Sequence, residues 1–330
     1  MSVVLVTGGA GFVGAHITND LIEKGDTVVV LDDLSGGFLD NINEKAIFIK
    51  GSVVDDALVS TLFEKYKFDY VFHLAAYAAE GLSHFIKRFN YMNNLIGSIN
   101  LINESIKHNI KCFVFTSSIA VYGSAKPPMK EDTTIPEPED SYGISKLAVE
   151  KELKISHELF GLNYIIFRAH NIYGEYQNIG DMYRNVVGIF MTQLMKKKPL
   201  TIFGDGTQTR AFSYIRDISP IMAASIHNTQ LHNQIFNIGG DKKYSVNELA
   251  GKVMKAMKLN GEILHLPERY EVKNAFADHS KLSQFGITKK STSLEQGLLE
   301  MARWAKLVGI RTSKKFDNIE ITKNLPPSWV

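Results

Sequence analysis

The sequence predicts an α/β protein with a doubly wound parallel sheet and a smaller, interleaved C-terminal lobe. Short β-branched runs alternate with helix-like apolar spacing over the first half of the chain, and a glycine-rich turn follows the first run. Apolar residues make up 45% of the 330 residues, which is enough for a large core. We expect a first domain at residues 1–168 and a second lobe at residues 169–330. Strands at residues 210–214 and 234–238, within the range 209–240, are expected to return to the sheet of the first domain.

Charge and cysteine content exclude several classes of protein. The formal net charge is +2, from 37 basic and 35 acidic residues, so we expect no nucleic-acid or membrane partner. The single cysteine, Cys112, excludes an internal disulfide and a cysteine-rich metal centre, and we expect no metal site. The first residues of the sequence lack the basic start and apolar core of a signal peptide, and the sequence contains no apolar run of membrane-spanning length. These features favour a cytoplasmic protein.

The first strand, turn and helix predict a dinucleotide site. Val3-Val4-Leu5-Val6 leads into Gly8-Gly9-Ala10-Gly11-Phe12-Val13-Gly14, and helix-like spacing follows over residues 15–24. Glycines allow such a turn to approach a pyrophosphate, which the helix N-terminus binds. A second strand, residues 27–31, ends in Asp32, whose carboxylate would bind the adenosine ribose and repel a 2′-phosphate. NAD is therefore favoured over NADP, with a purely structural glycine turn as the alternative.

Further strands and helices bring polar groups to one edge of the predicted sheet. We expect strands at residues 46–50, 69–73, 111–117 and 163–167, and helices at 55–65 and 82–108. The strands end in His73-Leu74-Ala75-Ala76 and Thr116-Ser117-Ser118, and Tyr142 follows after a proline-rich loop. Ligands of doubly wound sheets bind at the carboxyl ends of the strands, so we expect these groups to lie close together. Ser117 or Ser118 could instead only cap a strand end.

Tyr142 and Lys146 are candidate catalytic residues. They are four residues apart on a predicted helix and so share one face. A phenol has an ordinary pKa near 10, but a nearby positive charge stabilises the phenolate, so Tyr142 could act as a base at neutral pH. The alternative is a chance pair on a solvated helix.

These motifs, together with Ser117-Ser118-Ile119-Ala120-Val121-Tyr122-Gly123, resemble the extended short-chain dehydrogenase/reductase family. Three later motifs resemble its NAD-dependent sugar-nucleotide epimerase/dehydratase branch: Asn171-Ile172-Tyr173-Gly174, Gly204-Asp205-Gly206-Thr207-Gln208-Thr209-Arg210 and Asn237-Ile238-Gly239-Gly240. The resemblance covers residues 2–310. It implies a Rossmann fold, NAD as cofactor, a nucleotide-sugar substrate such as a UDP-sugar, and a homodimer formed through the helices of residues 82–108 and 142–160.

The resemblance also implies roles for individual residues. Ser118 and Tyr142 would engage the reacting sugar hydroxyl, and Lys146 would hold the nicotinamide ribose and favour the phenolate. Four residues would bind the nucleotide and its diphosphate: Asn171, Asn185, Arg210 and Arg269. The positions implied around the cofactor are Gly8, Gly11, Phe12, Val13, Gly14, Asp32, Asp33, Ala75, Asn93, Tyr142 and Lys146.

Departures from the family pattern narrow the reaction. Dehydratases of the family carry an acid pair where this chain has Ile119 and Ala120 after Ser118, so elimination of water is not expected. In a related class of 3,5-epimerases, a cysteine and a lysine exchange the protons on the sugar carbons. Ala120 and Asn185 stand at these positions here, and neither can exchange a proton on carbon. We therefore expect a 4-epimerase that works through a transient 4-keto sugar. A net oxidoreductase or dehydratase, and a nucleotide-binding scaffold without chemistry, remain alternatives.

The sugar is open among UDP-hexose, UDP-N-acetylhexosamine and UDP-uronate. The resemblance places Ala275 beside the C2 substituent, where a small residue leaves space for an acetamido group. A carboxylated sugar is the main rival, because Thr116, Ser117 or Arg184 could receive its acid group.

Overall fold

A seven-stranded parallel sheet forms the centre of the computed structural model, which describes residues 1–183, 185–269, 271–313 and 316–329. The strand order is β11-β6-β5-β4-β1-β2-β3, and every neighbouring pair is parallel. The order therefore reverses between β1 and β4. This is the doubly wound Rossmann sheet that the sequence predicts.

The strands of the main sheet are β1 (Val3–Thr7), β2 (Thr27–Asp32), β3 (Ile47–Lys50), β4 (Tyr70–His73), β5 (Cys112–Ser118), β6 (Tyr164–Ala169) and β11 (Gln234–Ile238). Smaller sheets are formed by β7 (Ile172–Tyr173), β8 (Leu200–Phe203), β9 (Thr209–Ala211), β10 (Ser213–Tyr214), β12 (Lys243–Ser245), β13 (Ile263–Leu266) and β14 (Asn274–Ala275).

The α-helices are α1 (Phe12–Glu23), α2 (Asp56–Tyr66), α3 (Glu80–Ser83), α4 (Lys87–Tyr91), α5 (Gly97–Lys107), α6 (Ser141–Phe160), α7 (Val186–Met195), α8 (Ile215–Ala224), α9 (Val246–Met257), α10 (Ser280–Gln284) and α11 (Leu294–Val308). A π-helical turn, Met92–Ile96, joins α4 to α5, and short 3₁₀ segments include Ile119–Tyr122 and Pro327–Trp329. The helices expected over residues 82–108 are thus present as α3, α4 and α5, with the π-helical turn between the last two.

Helices cover both faces of the sheet, which explains why its central strands are mostly apolar. On one face, Ile17 and Leu21 of α1 pack with Ile218 and Met222 of α8 against the strands. The other face is covered by α2, α5 and α6 through the cluster that contains Phe63, Leu101 and Val149. Cys112 is a buried free thiol in β5, as predicted.

The smaller lobe has its own core, formed by α7, α9 and α11 packed on the small sheets. Of the two segments expected to return to the main sheet, only residues 234–238 do so, as β11 beside β6. The expectation for residues 210–214 is wrong, because β9 pairs with β12 and β14, and β10 pairs with β7. Within the described ranges, the search for a helix that could span a bilayer finds none.

Candidate functional site

A cleft of about 510 Å³ opens at the carboxyl ends of the central strands, between the sheet and the smaller lobe. Thr7 at the end of β1 pairs with Leu31 of β2 and with His73 of β4, so the ends of all three strands meet at one edge. The cleft lies at the point where the strand order reverses, which is the expected ligand position in this architecture.

The glycine turn between β1 and α1 forms the floor of the cleft and fits a pyrophosphate. Gly8 has a φ of 72°, and a Cβ at this position would lie 2.8 Å from the backbone nitrogen of Ala75. A Cβ on Gly14 would collide with the carbonyl group of Gly8. Gly11 is the N-cap of α1 and supplies no side chain to its first N–H groups. These groups are thus available to a bound anion.

Asp32 at the end of β2 fits the adenosine ribose of a dinucleotide. Its Oδ2 accepts a hydrogen bond from the Ala10 N–H at 3.0 Å, and its Oδ1 accepts one from the Leu34 N–H at 2.8 Å. Burial raises the pKa of Asp32, and these two N–H groups act in the opposite direction. A carboxylate has further acceptor positions for ribose hydroxyls. Asp33 also lines the cleft, where its Oδ1 accepts from the Ser35 N–H.

His73 is a buried, neutral connection between β1, β4 and α5. Its Nδ1 lies 2.7 Å from the Thr7 hydroxyl and its Nε2 lies 2.7 Å from the Ser98 hydroxyl. Ser98 donates its own proton to the Asn94 carbonyl, so Nε2–H is the donor to Ser98 and Nδ1 accepts from Thr7. Burial, with the charge of Lys146, lowers the pKa of His73 to about 3. His73 therefore organises the strand ends without carrying charge.

Tyr142 and Lys146 face the cleft from the first turns of α6. Asp140 caps this helix by accepting from the Gly143 N–H at 2.8 Å, which fixes where the helix begins. Lys146 Nζ donates to the Thr116 carbonyl at 2.8 Å and lies 5.8 Å from the centre of the Tyr142 ring. Burial lowers the pKa of Lys146 to about 7, although the charge of Glu150 opposes this shift. The predicted shared face is thus present, with the ammonium group buried beside the phenol.

Beneath these two residues, a buried ion pair joins α6 to the sheet. Arg168 Nη2 lies 2.6 Å from Glu150 Oε2, and Ser117 donates to Glu150 Oε1 at 2.5 Å. Arg168 also donates to the Tyr122 hydroxyl at 2.7 Å. Burial alone would lower the pKa of Arg168, but Glu150 raises it above its ordinary value. The Ser117 hydroxyl is committed to this network, whereas Ser118 lines the cleft and its Oγ accepts from the Ala120 N–H at 3.1 Å.

The predicted nucleotide-binding residues lie on the other wall of the cleft. Asn171 donates its amide to the Ala211 carbonyl at 3.1 Å, and Asn185, with a φ of 64°, donates to the Ile172 carbonyl at 2.7 Å.

Two arginines also lie on this wall. Arg210 donates to the carbonyls of Thr209 and Lys273 at 2.9 and 3.0 Å. Arg269 donates from Nε and Nη2 to Glu271 Oε2 at 3.0 and 2.9 Å, and its guanidinium lies 4.4 Å from the centre of the Phe203 ring. Protein acceptors therefore hold both guanidinium groups in place.

With one exception, the structure brings the predicted site residues together. The residues that line the cleft are Gly8, Gly11, Phe12, Val13, Gly14, Asp32, Asp33, Ala75, Asn93, Ser118, Tyr142, Lys146, Asn171, Asn185, Arg210 and Arg269.

The exception is Ala275, which is not among the described residues that line the cleft. Pairing of β14 with β9 directs Ala275 onto the apolar cluster of Ile119, Tyr122 and Met129. The expectation that Ala275 borders a C2 substituent is therefore not supported. Arg184, one of the three residues that could receive the acid group of a uronate, lies outside the described residues.

Two asparagines that were not predicted as site residues, Asn90 and Asn94, position the loop after β4. Asn94 exchanges hydrogen bonds with the backbone of Tyr77, at 2.9 and 3.2 Å, and donates to Asn90 Oδ1 at 2.7 Å. Asn90 in turn donates to the Ser141 carbonyl at 2.8 Å. This series of hydrogen bonds fixes the loop against the start of α6. The only sequence signal was the spacing of the two asparagines, which places them on one helix face.

The described residues of the C-terminal segment, 311–313 and 316–329, matched no motif and pack beside the cleft. Its Ser313 hydroxyl donates to Asn178 at 2.7 Å, and both carboxylate oxygens of Glu320 accept from the first N–H groups of α4 at 2.8 Å. Trp329 is buried, 5.9 Å from the Arg269 guanidinium and packed against Leu82. The segment therefore contacts both lobes beside the site.

Comparisons with known proteins show which family of enzymes this chain resembles in sequence and fold. The model of the NAD dependent epimerase/dehydratase family matches residues 4–239. A putative UDP-glucose 4-epimerase of Methanocaldococcus jannaschii is 36% identical over 310 residues, which cover 92% of this chain and 98% of that protein.

Solved structures agree. The UDP-glucose 4-epimerase of Thermotoga maritima, solved with UDP-glucose, has a TM-score of 0.88 at 33% identity and covers 93% of this chain and 99% of its own. The UDP-glucuronic acid 4-epimerase of Bacillus cereus, solved with UDP-glucuronic acid and NAD, has a TM-score of 0.86 at 28% identity. The match covers 93% of this chain and 100% of that enzyme. The likeness thus extends over nearly the whole length of each relative.

Proposed function

The chain belongs to the NAD-dependent epimerase/dehydratase family, and from that premise we propose that it inverts carbon 4 of a UDP-activated sugar through a transient 4-keto sugar. The observation that carries this proposal is the convergence of Tyr142, Lys146 and Ser118 at the edge of the sheet that also carries the glycine turn. One cleft can therefore hold a dinucleotide and a reacting sugar side by side.

In this proposal, Tyr142 removes the proton of the C4 hydroxyl as the carbon is oxidised. Lys146 favours the phenolate through its positive charge, and Ser118 holds the same hydroxyl oxygen. NAD, held by the glycine turn and Asp32, would supply the acceptor and donor of the hydride that carbon 4 loses and regains. Tyr142 then gives the proton back to the oxygen on the inverted carbon, so the protein ends the cycle in its starting protonation state.

The UDP group must stay bound while the keto sugar turns over. Arg210 and Arg269 can bring positive charge to the diphosphate, and Asn171 and Asn185 lie on the same wall. Their present protein acceptors hold these side chains at the rim, which lowers the ordering cost of binding. The sugar would then be the part of the substrate that can rotate.

An epimerase fits the chain better than a dehydratase or a net oxidoreductase. Ile119 and Ala120 supply no acid or base to expel water from the sugar. Asp32 stands at the predicted ribose position, where an arginine would instead favour an NADP-dependent net oxidoreductase.

The test is to denature purified protein and identify the released cofactor by absorbance and mass. The same preparation is then assayed with UDP-glucose, UDP-N-acetylglucosamine and UDP-glucuronate, with products resolved by NMR. We expect about one NAD per chain and interconversion of 4-epimers without added cofactor. Net accumulation of NADH with a released keto sugar, or no conversion of any of the three, would contradict the proposal.

We infer that the protein forms a homodimer through the outer faces of the Met92–Ile96 turn and α6. Exposed apolar side chains lie on these two adjoining elements: Met92, Ile96, Ile144, Ile155, Leu159 and Phe160. An exposed apolar patch of this kind is typical of an interface between symmetric copies. Sedimentation of wild-type protein should give a dimer, and Leu159→Glu should shift it toward the monomer. A wild-type monomer at micromolar concentration would contradict this inference.

We also propose that the protein works in the cytoplasm. The free, buried thiol of Cys112 is compatible with a reducing compartment.

A further inference from the structure

Glu80 stands at the start of α3, directly beside the catalytic end of α6. The Tyr142 N–H donates to the Ser83 hydroxyl at 3.2 Å, and Ser83 donates to the Glu80 carbonyl at 2.6 Å. The Ser83 hydroxyl also lies 3.5 Å from Asp140 Oδ1. A short hydrogen-bonded path thus ties the position of Glu80 to that of Tyr142.

The next residue abuts the nucleotide end of the cleft. A Cβ on Gly81 would lie 4.0 Å from Arg269 Nη1 and 3.2 Å from the Trp329 ring. The Glu80-Gly81 pair therefore lies between Tyr142, which would act on carbon 4, and Arg269, which would bind the diphosphate. In a UDP-hexose, the sugar ring occupies the space between these two groups.

The Glu80 side chain is exposed and lines the cleft. Among the described residues, no hydrogen bond or ion pair engages its carboxylate. Arg269 is committed to Glu271, and Arg210 is committed to backbone carbonyls, so neither neutralises Glu80 directly. A carboxylate that faces a binding cleft without a partner is available to a ligand.

The charged groups around Glu80 are of both signs. Asp140 and Glu271 are acidic, Arg210 and Arg269 are basic, and His84 also lines the cleft. Desolvation by the cleft walls, followed by the charge of Asp140, raises the pKa of Glu80 above its ordinary value, and contact of the exposed side chain with solvent limits this shift. Glu80 therefore takes up a proton at a higher pH than a free carboxyl group.

We propose that Glu80 is a specificity-determining residue for the sugar: its carboxylate accepts hydrogen bonds from the hydroxyls of a neutral UDP-hexose and repels a UDP-sugar that carries a carboxylate at carbon 6. This inference rests on the proposed function and deepens it. Carboxylates bind vicinal hydroxyls well, and like charges in a confined cleft discriminate strongly against a second carboxylate. The Ser117 hydroxyl, an expected receptor of a uronate, is already bound to Glu150.

The experiment compares UDP-glucose with UDP-glucuronate on the NAD-loaded enzyme. Glu80→Gln keeps the size of the side chain and removes its charge, and Glu80→Ala removes both charge and acceptor. Glu64→Gln, an exposed position on α2, is the matched control for a change in net charge. Each variant is characterised by kcat and KM for both sugars and by the Kd for UDP, which lacks the sugar.

We expect wild-type enzyme to prefer UDP-glucose by about a hundredfold or more in kcat/KM. Glu80→Gln should raise kcat/KM for UDP-glucuronate about tenfold, mainly by lowering KM. Glu80→Ala should lower kcat/KM for UDP-glucose by a similar factor. The Kd for UDP should not change in any variant. In wild-type enzyme, the KM for UDP-glucuronate should fall as the pH is lowered and Glu80 takes up a proton, and this dependence should vanish in Glu80→Gln.

The inference is overturned if the ratio between the two sugars is the same in Glu80→Gln as in wild type, or if wild type turns over UDP-glucuronate as well as UDP-glucose. A wild-type enzyme that converts neither sugar would contradict the proposed function instead. In that case, the Kd values for UDP-glucose and UDP-glucuronate are measured by calorimetry in wild type and Glu80→Gln. A ratio of the two Kd values that is the same in both proteins overturns the role of Glu80.

Discussion

The ammonium group of Lys146 lies 5.8 Å from the centre of the Tyr142 ring and is anchored by a 2.8 Å hydrogen bond to the Thr116 carbonyl. This hydrogen bond ties the cation to β5, so its position does not depend on the substrate. While Lys146 is protonated, its positive charge beside the phenol stabilises the phenolate without a reorganisation cost during reaction. With a pKa of about 7, the side chain carries this charge in part of the molecules at neutral pH. The proposed chemistry depends on this pair.

Tyr142→Phe should retain the fold and bound NAD but lose turnover by about a hundredfold or more, because it removes the proton acceptor and little volume. Steady-state epimerisation and cofactor content are the measurements. Ile144→Val, at an exposed position on the same helix, is the control and should remain active. Activity within a few fold of wild type in Tyr142→Phe would assign the base to another residue.

Lys146 should make stability depend on pH in a defined window. The folded-state pKa of Lys146 is lowered to about 7 from 10.5, so between these values the unfolded chain holds one more proton than the folded one. Stability should then rise with pH in this window, by up to about 1.4 kcal/mol per unit from this group.

Urea denaturation of nucleotide-free wild type and Lys146→Met at pH 7.5 and 9 tests this prediction. The variant should lose the rise in stability, and it should also retain less NAD and turn over more slowly. An equal pH response in both proteins would show that Lys146 is not the group responsible.

Asp32 should determine the choice of cofactor. Asp32→Ala should weaken NAD binding and relax the exclusion of NADP, because a ribose acceptor and a like-charge barrier are lost together. Since Asp32 also holds the turn through Ala10 and Leu34, Asp32→Asn is the matched variant that keeps an acceptor and removes the charge. Dissociation constants for both dinucleotides are the measurement. Wild-type protein that purifies with NADP would refute the assignment.

Trp329 should support the nucleotide end of the cleft through Arg269. Trp329→Ala should weaken UDP binding by about tenfold, whereas Trp329→Phe, which keeps an aromatic ring beside the guanidinium, should largely restore it. In a Trp304→Phe background, Trp329 is the remaining tryptophan, so UDP binding should change its fluorescence. Unchanged UDP affinity in Trp329→Ala, with the fold intact by circular dichroism, would exclude this role.

The sequence predicted the parts of the site that follow from local chemistry. The turn at Gly8 needs a left-handed conformation, Asp32 ends an apolar strand, and Tyr142 and Lys146 share a helix face, all of which are visible within short windows. Parallel strands then bring such segments to one edge, so the topology predicted their convergence.

Long-range packing was not predictable in the same way. Strand pairing, and not sequence spacing, decides where Ala275 points, and residues 209–214 satisfy strand patterning while belonging to small sheets. The only sequence signal for Glu80 was that Tyr77-Ala78-Ala79-Glu80 departs from the usual substrate loop of the family. Its proposed role depends on the packing of α3 on α6, which the sequence did not predict. Trp329 reaches the cleft from the far end of the chain.

The fate of the hydrogen on carbon 4 tests the central claim most directly. UDP-[4-²H]glucose is converted by the enzyme in ordinary water, and the product is analysed by mass spectrometry and NMR. If Tyr142 deprotonates the hydroxyl while the C4 hydrogen leaves and returns as a hydride inside the cleft, the epimer should keep essentially all of its deuterium at carbon 4. Replacement of that deuterium by solvent hydrogen would contradict the mechanism, because it would mean that a base removes a proton from carbon.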